Sequence, residues 1–405
     1  MGSLHKPLDL ELRFHCYRCY VLSSYLRFLM KIAILKEHQA FEKRVAATPE
    51  TVRKLKAMNI DVVVEKDAGR AASYLDAAYS EAGATIAADA KAALSDADIV
   101  LKVQRPLDEL SMMKRGAKLI AMLAPYNNKD ALAAYAQQGI DAFSLELVPR
   151  ITRAQSMDVL SSQSNLAGYR AVIDAAAEFG RAFPMMMTAA GTVAPARVLV
   201  MGAGVAGLQA IATAKRLGAV VSATDVRMAA KEQVQSLGGT FVMVEDEESK
   251  QAETSGGYAK EMSDAYKAKQ ATLIGDTIKK QDIVICTALI PGRQAPRLVS
   301  DAMLKTMKQG SVVIDLAAEQ GGNCEGSQWG KTIEQHGVKI VSPANIASSV
   351  AVDASALYAK NILQFLTLLV DSKTGQLAIN WEDEIIKATA LTKDGAVVHP
   401  NFIAK

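Results

Sequence analysis

The chain has 405 residues, with 46 Lys and Arg against 43 Asp and Glu, a formal net charge of +3, four cysteines and a hydrophobic fraction of 50%. That length exceeds one ordinary core and predicts two or three domains. Near-neutral charge with no basic block or basic-aromatic interleaving excludes a nucleic-acid groove, and no run reaches the roughly 18 to 20 uncharged apolar residues of a membrane span. Cys16, Cys19, Cys286 and Cys324 are too few and too scattered for a disulfide framework, so a reducing compartment is expected, by default the cytoplasm.

Residues 1–29 precede what reads as a first strand, Met30-Lys-Ile-Ala-Ile-Leu. Arg27 and Lys31 interrupt any apolar core of a signal peptide and there is no small-residue cleavage site, so this extension is expected to lie outside the fold, with Met30 as initiator. Cys16-x-x-Cys19 has no second ligand pair at zinc spacing, so no metal site is expected. From Met30, KIAIL, DVVVE, DIVLKV, KLIAML and DAFSLEL read as strands buried on both faces of a parallel sheet. Between the first two, TPETVRKLKAM is a helix with Thr48 as N-cap, Pro49 at its first position and Glu50 at the positive end of its dipole.

The next stretch, RITRAQSMDVLSSQ from Arg150, crowds two arginines, two glutamines, an aspartate and serines where a buried strand should simply turn. A helix, LAGYRAVIDAAAEFGRAF, follows, then FPMMMTAAGTVAPA, whose methionines 185–187 read as gap-filling core or a subdomain seam. ARVLVMGAG opens a second alternation, with strands at VVSATDV, TFVMV, DIVICTAL, SVVIDLA and VKIVSP. The last helix, DASALYAKNILQFLTLL, is expected to cross back and cover the first domain, before a short irregular tail. The expected fold is α/β, with two Rossmann-like parallel-sheet domains: residues 30–160 plus 349–405, the discontinuous first, and 161–348, the nucleotide-binding second.

Gly202-Ala-Gly204-Val-Ala-Gly207 matches G-x-G-x-x-G between a strand and a helix, the context in which this pattern carries weight. Gly202 allows the tight turn, Gly204 lets backbone approach a pyrophosphate at the helix N-terminus, and Gly207 lets helix and strand pack closely. Asp225 ends the next strand 18 residues past the third glycine, where a carboxylate accepts from an adenosine 2′-hydroxyl and repels a 2′-phosphate. NAD(H) is therefore preferred over NADP(H), although Arg227 two residues on could serve a 2′-phosphate. The long acidic connection EDEESKQAETSGGYAKEM is expected to be a lid hinged at Gly256-Gly257 that lowers Tyr258 onto the nucleotide.

With RAQSMDVLSSQSNLAGYRAVIDAA, FPMMMTAAGT, GAGVAGLQAIATAKRLGAVVSATDVR, ALIPG and AEQGGN, the chain resembles, from Met30 almost to its end, the NAD(H)-binding subunit (domain I) of proton-translocating nicotinamide nucleotide transhydrogenases, within the alanine dehydrogenase/transhydrogenase superfamily. The resemblance implies direct hydride transfer from NADH bound here to NADP⁺ on a partner, coupled to proton translocation. It implies that Arg150, Asp158 and Ser161 hold the nicotinamide carboxamide and neighbouring groups, with Ile151 and Thr152 beside them, and that Gln155 reaches toward NADP(H). Gly202, Gly204, Val205 and Gly207, the strand end Asp225-Val226-Arg227, Gly257 and Tyr258, and Ala288-Leu289 would line the rest of the site. The implied assembly is a homodimer, peripheral on the cytoplasmic side of the inner membrane, with an integral-membrane subunit and an NADP(H)-binding beta subunit.

Hydride transfer between two nicotinamides moves no substrate proton, so such a site needs positioning groups and no general acid or base. An alanine dehydrogenase must move protons, and where that family shows K-V-K-E-P, a strand histidine and an aspartate before Q-G-G, this chain has Lys102-Val-Gln104-Arg-Pro106, KLIAMLAP and Glu319. Arg44, however, is retained. The other alternative, a non-catalytic NAD(H)-binding regulator, would have no use for Gln155 alongside Arg150, Asp158 and Ser161. His336 and His399 read as surface or packing residues, and EDEE as a solvated face. Asn345-Ile-Ala347 replaces the N-x-P turn common in the family, which leaves the path back to the first domain open.

Overall fold

Runs such as KIAI, DVVV and IVLKV carry too little polar surface to face water on either side, and each becomes a strand covered on both faces. A computed structural model describes residues 29–244, 248–249, 262–290 and 292–403. Cys16, Cys19, Gly257, Tyr258 and most of the expected lid lie outside the described residues. Strands β1 (Lys31–Ile34), β2 (Asp61–Glu65), β3 (Thr85–Ala87), β4 (Ile99–Gln104), β5 (Lys118–Met122) and β6 (Asp141–Ser144) form one parallel sheet in the order β3-β2-β1-β4-β5-β6. Alternate residues serve opposite layers: Ile32, Ile34, Val62, Val64, Ile99 and Leu101 enter one core, and Ala33, Val63, Val100 and Leu119 the other.

Helix α1 (Pro49–Ala57) begins as its sequence requires, since the Thr48 hydroxyl accepts from the Thr51 N–H and the Thr51 hydroxyl from the Thr48 N–H, with Pro49 at the first position. DAFSLEL is strand only to Ser144. The chain then bends through a 3-10 turn, Leu145–Leu147, where the half-buried Glu146 carboxylate accepts from the Leu123 and Ala124 N–H groups and the Ser144 hydroxyl.

Helix α2 (Val159–Glu178) starts earlier than its apolar pattern suggests, because the Asp158 carboxylate caps it by accepting from the Ser161 N–H at 2.9 Å. A hairpin follows, β7 (Met186–Thr188) and β8 (Gly191–Val193). Its strands pair only with each other, so the methionines are not core or seam: Met185, Met186 and Met187 are 60%, 44% and 78% exposed.

The second sheet contains β9 (Arg197–Met201), β10 (Val220–Thr224), β11 (Thr240–Phe241), β12 (Ile283–Cys286), β13 (Val312–Asp315), β14 (Lys331–Gln335) and β15 (Val338–Ser342), in the order β11-β10-β9-β12-β13-β15-β14. Helix α3 (Val205–Arg216) leaves β9 at the glycine turn. All pairs are parallel except β14 with β15, an edge hairpin that the mostly polar KTIEQ did not announce. His336 and Gly337, both at positive φ, form its two-residue turn.

Helix α4 (Ala351–Leu366) crosses back onto the first sheet, placing Tyr358, Ile362 and Phe365 in the same core as β1 and β4. The tail is ordered rather than irregular: helix α5 (Glu384–Thr389) leads to a bridge from Ala390 to Phe143, Leu391 N–H donates to the Ala142 carbonyl, and Trp381 stacks on Phe143 at 5.8 Å. The open edge of β6 explains this, since its unpaired backbone groups take up the returning chain. No helix among the described residues is long and apolar enough to cross a membrane.

Helices α2 and α3 meet at Gly168, where an added Cβ would stand 2.0 Å from the Ala206 carbonyl oxygen, so only glycine lets one helix lie directly on the other. Gly168→Ala is expected to cost about 2–3 kcal/mol by forcing these helices apart, measured by urea unfolding; an unchanged midpoint would count against this contact.

Candidate active site

The glycine turn has the backbone geometry that its three expected tasks require. Gly202 sits at φ +103, donates its N–H to the Thr224 carbonyl at 2.9 Å, and has no room for a Cβ beside Thr287 Oγ1 at 2.7 Å. A Cβ on Gly204 would meet no described atom within 4 Å, so the space before the α3 N-terminus is open to a ligand. One on Gly207 would lie 1.8 Å from the Gly202 carbonyl oxygen. Asp225 sits against this turn and accepts from the Ala203 N–H at 2.8 Å. Its two oxygens also take the Arg227 N–H, Nε and Nη2, at 2.9, 2.9 and 2.8 Å. Four bonds fill the carboxylate, so a ribose hydroxyl must displace an Arg227 contact to reach it. Val226 packs on Met262 and Tyr266.

The polar corner closes into a cavity of about 270 Å³ lined by Pro149, Arg150, Ile151, Gln155, Asp158, Ser161 and Val205. It is small beside the roughly 300–1,000 Å³ of drug-sized sites, and suits a single ring and its substituent more than a whole dinucleotide. A 3-10 helix, Thr152–Met157, turns Gln155 toward it, while α2 supplies Ser161 and α3 supplies Val205. The Ser161 hydroxyl donates to Asp158 Oδ2 at 2.5 Å and so keeps its own lone pairs for a donor. Arg150 adds donors and Gln155 both kinds of group, which together complement the N–H₂ and C=O of a primary amide. Thr152 is exposed and does not line the cavity, and Arg153 is turned away onto Asp383 and Glu384. Ala288 and Leu289 follow β12, outside the cavity lining. His336 is a surface residue 2.6 Å from Asp301, and His399 is buried against the Ala388 carbonyl, where burial lowers its pKa.

Behind the cavity lies a buried ionic cluster that the sequence showed only through Arg44, Lys102 and Gln104. Arg44 donates from Nε and Nη2 to Glu42 at 2.8 and 2.6 Å and from Nη1 to Gln163 at 2.9 Å. Glu42 also accepts from Gln104, Asn345 and Ser348, each at 3.0 Å. Asn345 thus ties the returning chain to the first domain without the family's proline. Burial opposes ionisation of Glu42, but the Arg44 bonds outweigh it and hold the carboxyl down at about 2. Next to this pair, Lys102 Nζ lies 2.9 Å from Glu109 and 3.6 Å from Glu37 Oε2. The Val103 N–H donates to Glu37 Oε1, whereas Oε2 has no hydrogen-bond partner. Burial, only partly offset by Lys102, pushes the Glu37 carboxyl up to about 7.

Two Rossmann-like sheets, a glycine turn with its paired acid and an amide-complementary cavity define a dinucleotide-binding α/β protein. Comparison with known proteins agrees: residues 33–167 match the N-terminal domain and residues 171–400 the C-terminal domain of the family described as alanine dehydrogenase/PNT, and the chain belongs to that family. It is 58% identical over 377 residues to the first portion of NAD(P) transhydrogenase subunit alpha of Rhodospirillum rubrum, covering 92% of this chain and 98% of that relative. The crystal structure of transhydrogenase from Sinorhizobium meliloti superposes with a TM-score of 0.83 at 56% identity, over 91% of this chain and all of that one. An L-alanine dehydrogenase structure superposes at 0.76 with 25% identity, over 92% and 98%. Within the family, the likeness is therefore to transhydrogenase alpha subunits.

The cluster sets a pH dependence. A carboxyl raised in the folded state contributes no penalty below its unfolded value and costs stability progressively as pH rises through about 7, whereas Glu42 contributes stability above its unfolded value that is lost as pH falls toward about 2. Glu37→Gln is accordingly expected to raise the melting temperature by a few degrees at pH 8 and to leave it nearly unchanged at pH 5. Thermal scans across that range check this, and a gain independent of pH would contradict it.

Proposed function

We propose that the chain is the NAD(H)-binding subunit of a proton-translocating NAD(P)⁺ transhydrogenase. In this reading NADH bound on the second sheet delivers a hydride directly to NADP⁺ on a beta subunit, an integral-membrane subunit couples the transfer to proton movement, and the chain works as a homodimer peripheral to the cytoplasmic side of the inner membrane. Residues 30–160 with 349–405 would form the supporting domain and 161–348 the NAD(H) domain.

The observation that carries this reading is the inventory of the cavity. The described residues lining it include Arg150, Asp158 and Ser161, whose donors and acceptors can pair with a carboxamide, and no histidine, lysine or tyrosine. Bound NADH supplies the hydride; the protein need only hold the carboxamide, fix the ring and leave one face free for Gln155 and the partner. The Arg44 cluster supports the same conclusion against 2-oxo acid chemistry. Its guanidinium is spent on Glu42 and Gln163, and a substrate carboxylate would have to displace a buried, hydrogen-bonded ion pair to use it.

The test mixes the purified protein with an NADP(H)-binding transhydrogenase domain and follows reduction of an NAD analogue by NADPH. Turnover is expected, and its absence with NADH binding intact would overturn the reading. With pyruvate, ammonia and NADH, no oxidation is expected. Gln155→Asn should slow hydride transfer at least about tenfold with NADH affinity within about twofold, whereas Asp225→Ala should weaken NADH binding by about 10- to 100-fold and leave transfer at saturation largely intact. Stopped-flow and equilibrium binding separate the two.

A further inference from the structure

The exit of β12 is held from two sides. Thr287 Oγ1 donates to the Gly202 carbonyl at 2.9 Å, tying this segment to the glycine turn. From the opposite side comes Asn323, fully buried in the loop after β13. Its Oδ1 accepts from the Ala288 N–H at 3.1 Å, and its Nδ2 donates to the Ala288 carbonyl at 2.9 Å and to the Pro296 carbonyl at 2.8 Å. Its own carbonyl accepts from the Leu298 and Val299 N–H groups at 2.8 and 3.0 Å. Both side-chain N–H groups and one of the two Oδ1 lone pairs are thus used, three of the four bonds an asparagine side chain can make. The loop that carries Asn323 is itself anchored on the buried Asp315, which accepts from the Ala317 and Cys324 N–H groups and the Ser327 hydroxyl.

Two consequences follow for the pocket. Both backbone groups of Ala288 are engaged inside the protein and are withdrawn from a ligand, and the next side chain, Leu289, is 40% exposed and offers it apolar surface. The strand order also decides which half of a dinucleotide meets it. Asp225 ends β10 on one side of β9, and Ala288 follows β12 on the other. With the adenosine ribose at Asp225, the nicotinamide half lies toward β12.

We propose that Asn323 is a positioning residue for the nicotinamide half of NAD(H), acting through Ala288 to set Leu289 as that half's apolar wall. The inference rests on the NAD(H)-binding reading above. Asn323→Asp keeps the acceptor toward the Ala288 N–H but sets a carboxylate oxygen against two carbonyl oxygens, and protonation restores one donor. Asn323→Ala removes all three bonds and has nothing to titrate.

The experiment measures NADH and 5′-AMP affinities of the wild type and both variants between pH 6 and pH 8. Asn323→Asp is expected to weaken NADH by about tenfold or more at pH 8, with the loss shrinking as pH falls, and Asn323→Ala to weaken it by a similar factor without that trend. Binding of 5′-AMP should stay within about twofold of wild type in both, since the adenosine half does not meet this segment and its retention reports an intact fold. NADH affinity unchanged in both variants overturns the inference, and so does a parallel loss of 5′-AMP and NADH, which would make Asn323 merely structural. A wild type that binds 5′-AMP but not NADH would sink the NAD(H) reading itself and is a distinct result.

Discussion

Helix α2 is the member on which both halves of the molecule depend. Its first residue, Val159, is buried in the core of the first sheet, and Ala171, Val172 and Ala175 are buried in the core of the second. A single helix inserted in two cores must cross α3 at a distance that any side chain at position 168 would increase. Its first turn cannot then move independently of the glycine turn, because Val205 and Ser161 stand on the two helices that Gly168 brings together. The geometry of the cavity is thus set by helix packing at the edge of the glycine turn, since Ala206 follows the cavity residue Val205.

The ionic cluster behind that cavity locks the same arrangement by electrostatics. Glu42 receives donors from the first domain (Arg44, Gln104) and from the returning chain (Asn345, Ser348), while Arg44 reaches Gln163 on α2. Removing one partner from such a buried group leaves an uncompensated charge, which costs far more than the net worth of the pair. Among the described residues three carboxylates, Glu37, Glu42 and Glu109, share two cations, Arg44 and Lys102, and Glu37, whose Oε2 meets Lys102 only at ion-pair distance and without a hydrogen bond, is the one whose ionisation burial suppresses.

Much of this was legible in the residues. Continuous apolar runs marked every strand of the two sheets except β3 and β14, Thr48 and Pro49 marked the start of α1, and the three glycines with Asp225 marked the nucleotide turn, because each signal is local and tied to a backbone requirement. Arg150, Gln155, Asp158 and Ser161 were conspicuous as polar groups in a place where burial was expected. What escaped depends on contacts distant in sequence. Gly168 looked like an ordinary helix residue until Ala206 was placed against it. Asn323 gains its meaning from Ala288, 35 positions away, and Glu42 from Asn345 and Ser348. The methionines of the hairpin misled because composition speaks of hydrophobicity, whereas exposure is decided by whether another layer is there to cover it.

That hairpin gives the surface an uneven chemistry. The two cysteines among the described residues are buried, and burial pushes the Cys324 thiol up to about 12 and the Cys286 thiol well above its ordinary value, so neither offers a thiolate to an oxidant at neutral pH. The three thioethers at 185–187 stand in water. Among the described sulfur-bearing side chains, these thioethers are therefore more open to peroxide than either thiol, and conversion to sulfoxide there adds polar oxygen to a ribbon that belongs to neither core. The hairpin thus carries exposed sulfur at a distance from the glycine turn in the chain, where a change of polarity touches neither hydrophobic core.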